Sequence, residues 1–445
     1  MLIVIPILLI LWLILLSGKQ PVYSLGIPFV YAFWEAIFIP AYEWKFLIGP
    51  IGIVAEDVLF ALFFFVSLYI SLRRKPSKKV RWQLEMYLMV LFIFFLLFEV
   101  VYSWIFKQRI AIGTFLLIKP YIYWPLSIFI WLGIMQRITT DEILRFLNIM
   151  AWITVALMIP YILSSRGMQI YPGQRYMVIK NETGVLVRDL LTFPYWVAPS
   201  FFFFGLKINF STWSQRTLLR FFGMTILLMG LLAVQTRSKF FSTFAIFSLL
   251  LIYNIFKGYR IQKIYVLFYA VGAIGLYLLF MFILPAQLTE FINRIQDLQT
   301  GVTQNSLTFR TTVFLGLNDF VFRLNPLIGV GFYIPSTLAP VRFWGDMMWF
   351  RILFDLGWAG IIIFSLFLLV SIIHSISNIR FATSTNEKIL AWLFFMICVF
   401  SLIMTMTSES YTMRYSISTF AVAGVLAVYN HIWKKAPQTQ STQQA

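Results

Sequence analysis

Apolar runs of roughly 20 residues recur along the whole chain, the length an α-helix needs to cross about 30 Å of hydrocarbon. They lie near 2–16, 23–40, 47–72, 83–106, 110–135, 143–163, 189–206, 218–235, 240–256, 264–284, 346–373, 389–406 and 413–433. Only 12% of the 445 residues are charged while 60% are hydrophobic, about half the charged share of a soluble domain. So few charges cannot build an aqueous surface. The pattern predicts an all-α polytopic membrane protein with about 12 transmembrane helices. A thirteenth follows only if both the short first run and the Pro-containing stretch 28–40 cross fully. The first run lacks a basic start and a small-residue cleavage site, so it does not read as a removable signal. Residues 1–435 read as one integral membrane domain. Residues 436–445, rich in Gln and Thr, read as a disordered tail.

Orientation follows from the short loops, because cytoplasmic loops carry an excess of Lys and Arg. Arg73, Arg74, Lys75, Lys78, Lys79 and Arg81 crowd one loop and set it inside. Alternation then places 137–145, 207–220, 257–263, 380–388 and 434–435 on the same side, with a cytoplasmic C-terminus. Outside fall 164–188, 236–239, a short turn near 407–412, and a loop of some 60 residues over 285–345. In that loop the spacing of Leu288, Phe291, Ile292, Ile295 and Leu298 predicts an amphipathic surface helix over 287–298. A second helix is predicted over 307–323, capped by Ser306 and ended by Asn325-Pro326, before the flexible turn Gly329-Val-Gly331. A loop this long in a compact domain usually carries function.

The basic residues are not distributed as orientation alone requires. By this map the inside holds 9 Lys and 9 Arg, whereas the outside holds 4 Lys and 11 Arg, with Lys19 and Lys119 unassigned. Arginine presents a planar fork that grips carboxylate or phosphate at two points. Outer acids and lipid headgroups can pair with any single arginine, but outer basic residues exceed outer acids. An anionic ligand on the outer face is the better reading of the set. With one cysteine, Cys398, and two histidines, neither a disulfide framework nor a cysteine- or histidine-based metal centre can be built. No metal or cofactor is expected, and no nucleic-acid partner.

Gln235-Thr236-Arg237-Ser238-Lys239 puts two cations between two apolar spans with almost no loop, at or just within the membrane surface, where charges are costly and are usually functional or paired. Arg310 opens the predicted loop helix, where free N–H groups and the helix dipole also favour an anion; an ion pair with Asp319 or Asp297 is the structural alternative. Arg323 and Arg342 flank the Gly-rich turn. Asp346, Arg351 and Asp355 follow near the outer end of the next span. Arg351 and Asp355, four apart, can pair along one helix face. Asp346 lies about 900° of helical turn from Asp355 and faces the other way, leaving it free for chemistry or for a plain N-cap. Glu56, Asp57 and Glu99 interrupt spans and carry no assigned role. Arg166, Arg175, Lys180 and Arg188 surround Tyr171-Pro-Gly173 in a solvated loop that could extend a basic vestibule, and Asn181-Glu-Thr183 matches a glycosylation pattern. His374 and His431 map to the cytoplasmic side.

In these features the chain resembles the bacterial O-antigen ligase and O-antigen polymerase (Wzy-type) superfamily. The resemblance rests on an arginine in a tight outer turn (Arg237), then a large late outer loop with an arginine helix (Arg310). A Pro-x-x-Gly-x-Gly turn (Pro326, Gly329, Gly331) and an acid-x-Gly-x-x-Gly helix (Asp355, Gly357, Gly360) follow. The architecture matches over most of the chain, the motifs only over about 235–360. The resemblance implies an enzyme of the bacterial inner membrane. It would transfer glycan at the outer face from an undecaprenyl-pyrophosphate carrier to an acceptor hydroxyl, alongside other polysaccharide assembly proteins. Arg237 and Arg310 would hold the pyrophosphate. Where ligases carry a histidine nine residues before the acid, this chain has Asp346, which favours a polymerase. Asp346 would be the base, with Lys239, Arg323, Arg342 and Arg351 assisting substrate binding. A ligase acting on lipid A core is the alternative, and a transporter of lipid-linked sugar is the rival from another class. A transferase using a lipid monophosphate donor should show an acidic motif in its first outer loop, where Glu43 stands alone.

Overall fold

The computed structural model describes residues 4–27, 45–48, 51–73, 84–105, 137–164, 176–181, 184–189, 197–210, 214–233, 237–256, 315–323, 325–331 and 348–405, with single positions at 30, between 115 and 134, and between 278 and 312. Helices dominate: α1 (Val4–Lys19), α2 (Ala55–Arg73), α3 (Leu84–Ile105), α4 (Thr140–Ser164), α5 (Val197–Asn209), α6 (Gln215–Ala233) and α7 (Arg237–Phe256). The series continues with α8 (315–323), α9 (Met348–Phe381) and α10 (Thr385–Thr405). A 3-10 turn, Pro21–Leu25, follows α1. Among the described residues, three stretches are long and apolar enough to cross a membrane: Leu84–Ile105, Thr140–Leu163 and Ile352–Phe381.

α3 shows why these helices suit lipid. Its buried side includes Glu85, Met89, Phe92, Leu96, Glu99 and Ser103, at helical spacing, while Leu91, Phe94, Phe98, Val101 and Trp104 are exposed. Polar groups inside and apolar ones outside invert the water-soluble pattern, as hydrocarbon surroundings favour. Glu99, expected as an intramembrane acid, is fully buried and accepts a hydrogen bond from the Ser103 hydroxyl at 3.1 Å, one turn along.

Two short hairpins depart from the purely helical expectation. The run 47–72 is not one span: Lys45–Ile48 and Ile51–Val54 pair antiparallel, with Ile48 opposite Ile51, and α2 begins only at Ala55. Gly49-Pro50 explains the break, since proline offers no amide and the pair favours a turn. Glu56 and Asp57 therefore stand in the first turn of α2, where the helix dipole favours acids, rather than mid-span. The loop 164–188 holds the second hairpin, Tyr176–Asn181 with Gly184–Asp189, in the register Tyr176 to Asp189 and Asn181 to Gly184.

The chain divides into two compact units that interleave in sequence: 1–13, 26–59 and 141–305 in the first, 14–25, 60–140 and 306–445 in the second. In the first, α5, α6 and α7 pack together. Phe201 to Phe204 are all buried, so α5 is enclosed on every side. In the second, α9 packs on α3 and α10. α10 opens with a capping box: the Glu387 amide donates to Ser384 Oγ at 3.2 Å and its carboxylate accepts from the Ser384 amide at 3.4 Å. Arg137 donates to the carbonyls of Gly133 at 2.5 Å and Ser71 at 3.3 Å, a cation on helix-terminal carbonyls.

The run 346–373, expected as one span, is broken within its helix. Gly357 takes φ 64° and ψ −161° inside α9, a conformation essentially restricted to glycine. In an unbroken helix the Trp358 amide would bond the Phe354 carbonyl. Here the Trp358 amide donates to the Pro326 carbonyl at 2.9 Å and that of Ala359 to the Leu327 carbonyl at 3.0 Å. The Phe354 carbonyl accepts instead from the Val330 amide at 2.8 Å. The turn 325–331 thus replaces the missing rungs of the helix. Contact is close enough to exclude a side chain on either face. A Cβ on Gly329 (φ 69°) would lie 2.5 Å from the Gly357 nitrogen, and one on Gly357 would lie 2.5 Å from the Gly329 nitrogen. Gly329→Ala and Gly357→Ala should each destabilise the protein by about 1–3 kcal/mol. The double variant should lose less than the sum, because both methyls disrupt one contact. Thermal unfolding in detergent checks this, and unchanged midpoints would contradict the docked turn.

Candidate functional site

The docked turn organises the region in which the sequence placed its site. α8 ends at 323, as Asn325-Pro326 predicts, and the Asn325 side chain accepts from the Ile328 amide at 3.3 Å to stiffen the bend. Leu317 and Val321 of α8 bury against Phe350, Leu353 and Phe354 of α9, with Phe320 stacked on Phe354 at 6.3 Å and 5°. Trp358 Nε1 donates to Asn318 Oδ1 at 3.2 Å. α8, the turn and the broken α9 are therefore held by apolar packing, side-chain bonding and backbone exchange together.

Asp355 sits one turn before Trp358 and is fully buried. Its Oδ2 accepts from the Tyr121 hydroxyl at 3.0 Å, across 234 residues of sequence. Sequence spacing offered Arg351 as its partner, but the Arg351 side chain lies outside the described residues; the described bond is to tyrosine, which no local pattern signals. A second buried acid was also missed. Glu85 in the first turn of α3 meets His374 Nδ1 of α9 at 2.5 Å. The start of α3 and the late turns of α9 are thus joined side by side.

The expected site residues divide by how far the structure describes them. Arg323 is exposed and pairs with exposed Asp319 at 2.7 Å along its own helix. Such a pair contributes only about 0.3–0.5 kcal/mol, so an incoming anion displaces it at little cost. Asp319, one of the partners offered for Arg310, is engaged in this way. Arg237 is the first residue of α7, four positions after α6 ends at Ala233, so only three residues separate the two helices. The first turn of α7 holds Arg237 and Lys239 and no acid, an arrangement whose free amides and dipole favour an anion. For Arg237, Lys239 and Arg351 only the helical backbone is described. Arg310, Arg342 and Asp346 lie outside the described residues, and so do Arg166, Arg175 and His431. The segments bearing Arg310 and Asp346 lead into α8 and α9, two helices that pack on each other. The predicted surface helix over 287–298 is described at Thr289 and Ile292, both helical and exposed.

No model of a known protein family matches the chain, and no curated protein matches it. Function must therefore be argued from the residues themselves.

The Tyr121–Asp355 bond ties the helix before the break to another part of its unit. A double-mutant cycle of Tyr121→Phe and Asp355→Asn should give a coupling of about 1–3 kcal/mol in thermal or denaturant unfolding. Additive losses would mean that the pair does not act as a unit.

Proposed function

We propose that the chain is a membrane glycosyltransferase, a polymerase of O-antigen or another surface polysaccharide. It takes glycan from an undecaprenyl-pyrophosphate carrier and passes it to an acceptor sugar hydroxyl by inverting, metal-independent transfer. In this reading it crosses the bacterial inner membrane about 12 times, with its C-terminus in the cytoplasm and its site on the outer face. The observation that carries the reading is the interlock of the two glycine motifs. The Pro326–Gly331 turn and the Asp355–Gly360 helix exchange backbone hydrogen bonds and approach so closely that neither Gly329 nor Gly357 tolerates a side chain. The motifs on which the family resemblance rests thus form one built element.

The chemistry follows from charge. As the glycosidic bond to the donor breaks, negative charge grows on the departing pyrophosphate. In this reading Arg237 and Arg310, helped by Lys239, are the cations that stabilise that charge, an effect of about 10²–10³-fold per group in a partly dewatered site. Asp346 accepts the proton of the acceptor hydroxyl as that oxygen attacks the sugar carbon from the face opposite the leaving group. Arg323, Arg342 and Arg351 supply further positive field. The polyprenyl tail lies among the exposed Phe, Leu and Ile side chains of the spans.

One observation bears on the rival transporter reading. Transporters also use broken helices, but in pairs, with open helix ends facing a central substrate. At Gly357 the amides of Trp358 and Ala359 and the carbonyl of Phe354 are taken by the chain's own turn, so these groups are not available to substrate.

Purified protein given a synthetic polyprenyl-pyrophosphate oligosaccharide should extend the glycan. Transfer to lipid A core would instead identify a ligase, and no reaction would favour transport. Arg237→Ala, Arg310→Ala and Asp346→Asn should each lower transfer by about 10²-fold or more at unchanged protein level. Full activity in either arginine variant would remove the mechanism.

A further inference from the structure

The first unit contains a basic cavity that the transferase chemistry does not use. About 380 Å³ in volume, it opens among α4, α5 and α6, within the range of about 300–1,000 Å³ typical of small-molecule sites. Four cations line it: Arg145 from α4, Lys207 from α5, and Arg216 and Arg220 from α6. Asn148 and Trp152 complete its polar and aromatic wall.

In the sequence these residues served only to orient the chain. Orientation needs cations on one side; it does not need them to converge from three helices on a single concavity. Several features make that convergence unfavourable without an anion. The first turn of α6 contains Arg216 and no acid, so a cation sits at the positive end of the helix dipole. The α6 start is already closed by Ser214, whose carbonyl accepts from the Thr217 amide at 2.9 Å and whose hydroxyl meets that of Thr217 at 3.3 Å. Lys207 is half-buried, with its ammonium 5.8 Å above the Phe203 ring. Burial first, and then the charge of Arg220, draw the Lys207 ammonium below its usual pKa; Asp141 is the carboxylate that acts in the other direction. Asp141 and Glu142, in the first turn of α4 one turn before Arg145, supply opposing charge. Four cations still outnumber these two carboxylates, and a bound anion would relieve the excess.

We propose that this cavity binds a phosphate group, carried by an anionic phospholipid headgroup or by a soluble phosphate compound. Three of the four cations are arginines, whose forks suit phosphate oxygens bidentately. The orientation read from the sequence sets both contributing loops on the cytoplasmic face, where basic pockets between helices take phospholipid headgroups. The site would lie on the opposite face from the glycan chemistry and stands whether or not the transferase reading is correct.

The test uses the full chain in nanodiscs. One arm compares neutral phosphatidylcholine with phosphatidylcholine containing phosphatidylglycerol; the other titrates inorganic pyrophosphate into the neutral discs. The thermal midpoint of the wild type should rise in at least one arm, the lipid arm identifying a headgroup and the pyrophosphate arm a soluble ligand. Apparent affinity should fall about tenfold for each of Lys207→Gln, Arg216→Gln and Arg220→Gln. Arg220→Lys should retain most of the shift, which guards against simple misfolding, and exposed Arg216 offers a substitution that leaves packing intact. Arg237→Ala and Arg310→Ala should keep the shift, separating this cavity from the outer site. A wild type that shifts in neither arm, or glutamine variants that shift as fully as wild type, would overturn the proposal.

Discussion

Hydrocarbon provides no hydrogen bonds, so a helix broken within a membrane must find partners for its freed amides and carbonyls in its own chain. Each group left unsatisfied there costs several kcal/mol. The break at Gly357 meets this constraint by exchange: the carbonyls of Pro326 and Leu327 take the amides of Trp358 and Ala359, and the Val330 amide takes the Phe354 carbonyl. The turn 325–331 is thereby fixed to the helix. The proposed stabilisation of a leaving group by fixed charge relies on such fixing, because a cation on a mobile segment must reorganise as charge develops.

Elsewhere in the same unit, three acids inside helical segments are turned inward and given specific partners. Glu99 takes the Ser103 hydroxyl, Glu85 takes His374, and Asp355 takes Tyr121. Leaving a buried polar group unsatisfied costs about 1–3 kcal/mol, so the two contacts that join different segments, Glu85 with His374 and Asp355 with Tyr121, also restrict which helix surfaces can meet. Apolar side chains meanwhile face outward, as on α3. The buried polar contacts and the outward apolar surface are two results of one solvent choice.

Hydropathy carried the helical class and the positions of Leu84–Ile105, Thr140–Leu163 and Ile352–Phe381. It could not separate the hairpin 45–54 from the helix that follows, since Ile, Leu and Val serve strand and span alike; only Gly49-Pro50 marked the division. The end of α8 was legible because Asn325-Pro326 is a local stop signal. The kink was half legible: Gly357 was visible as part of a motif, but its docking with Gly329 depends on tertiary contact. Tyr121 and His374 gave no signal, because their partners lie 234 and 289 residues away. In the sequence the cations of 137–145 and 207–220 count only as a sum that sets orientation. Their convergence on one cavity is a property of helix packing, which linear spacing does not encode.

The central claim, that the Gly-rich turn is preorganised on the broken helix before any substrate arrives, can be measured directly by amide hydrogen exchange of the full chain in nanodiscs. The amides of Val330, Trp358 and Ala359 should exchange as slowly as those in the middle of α3, without added donor lipid. Exchange at the rate of a free loop, becoming slow only when donor is present, would contradict it.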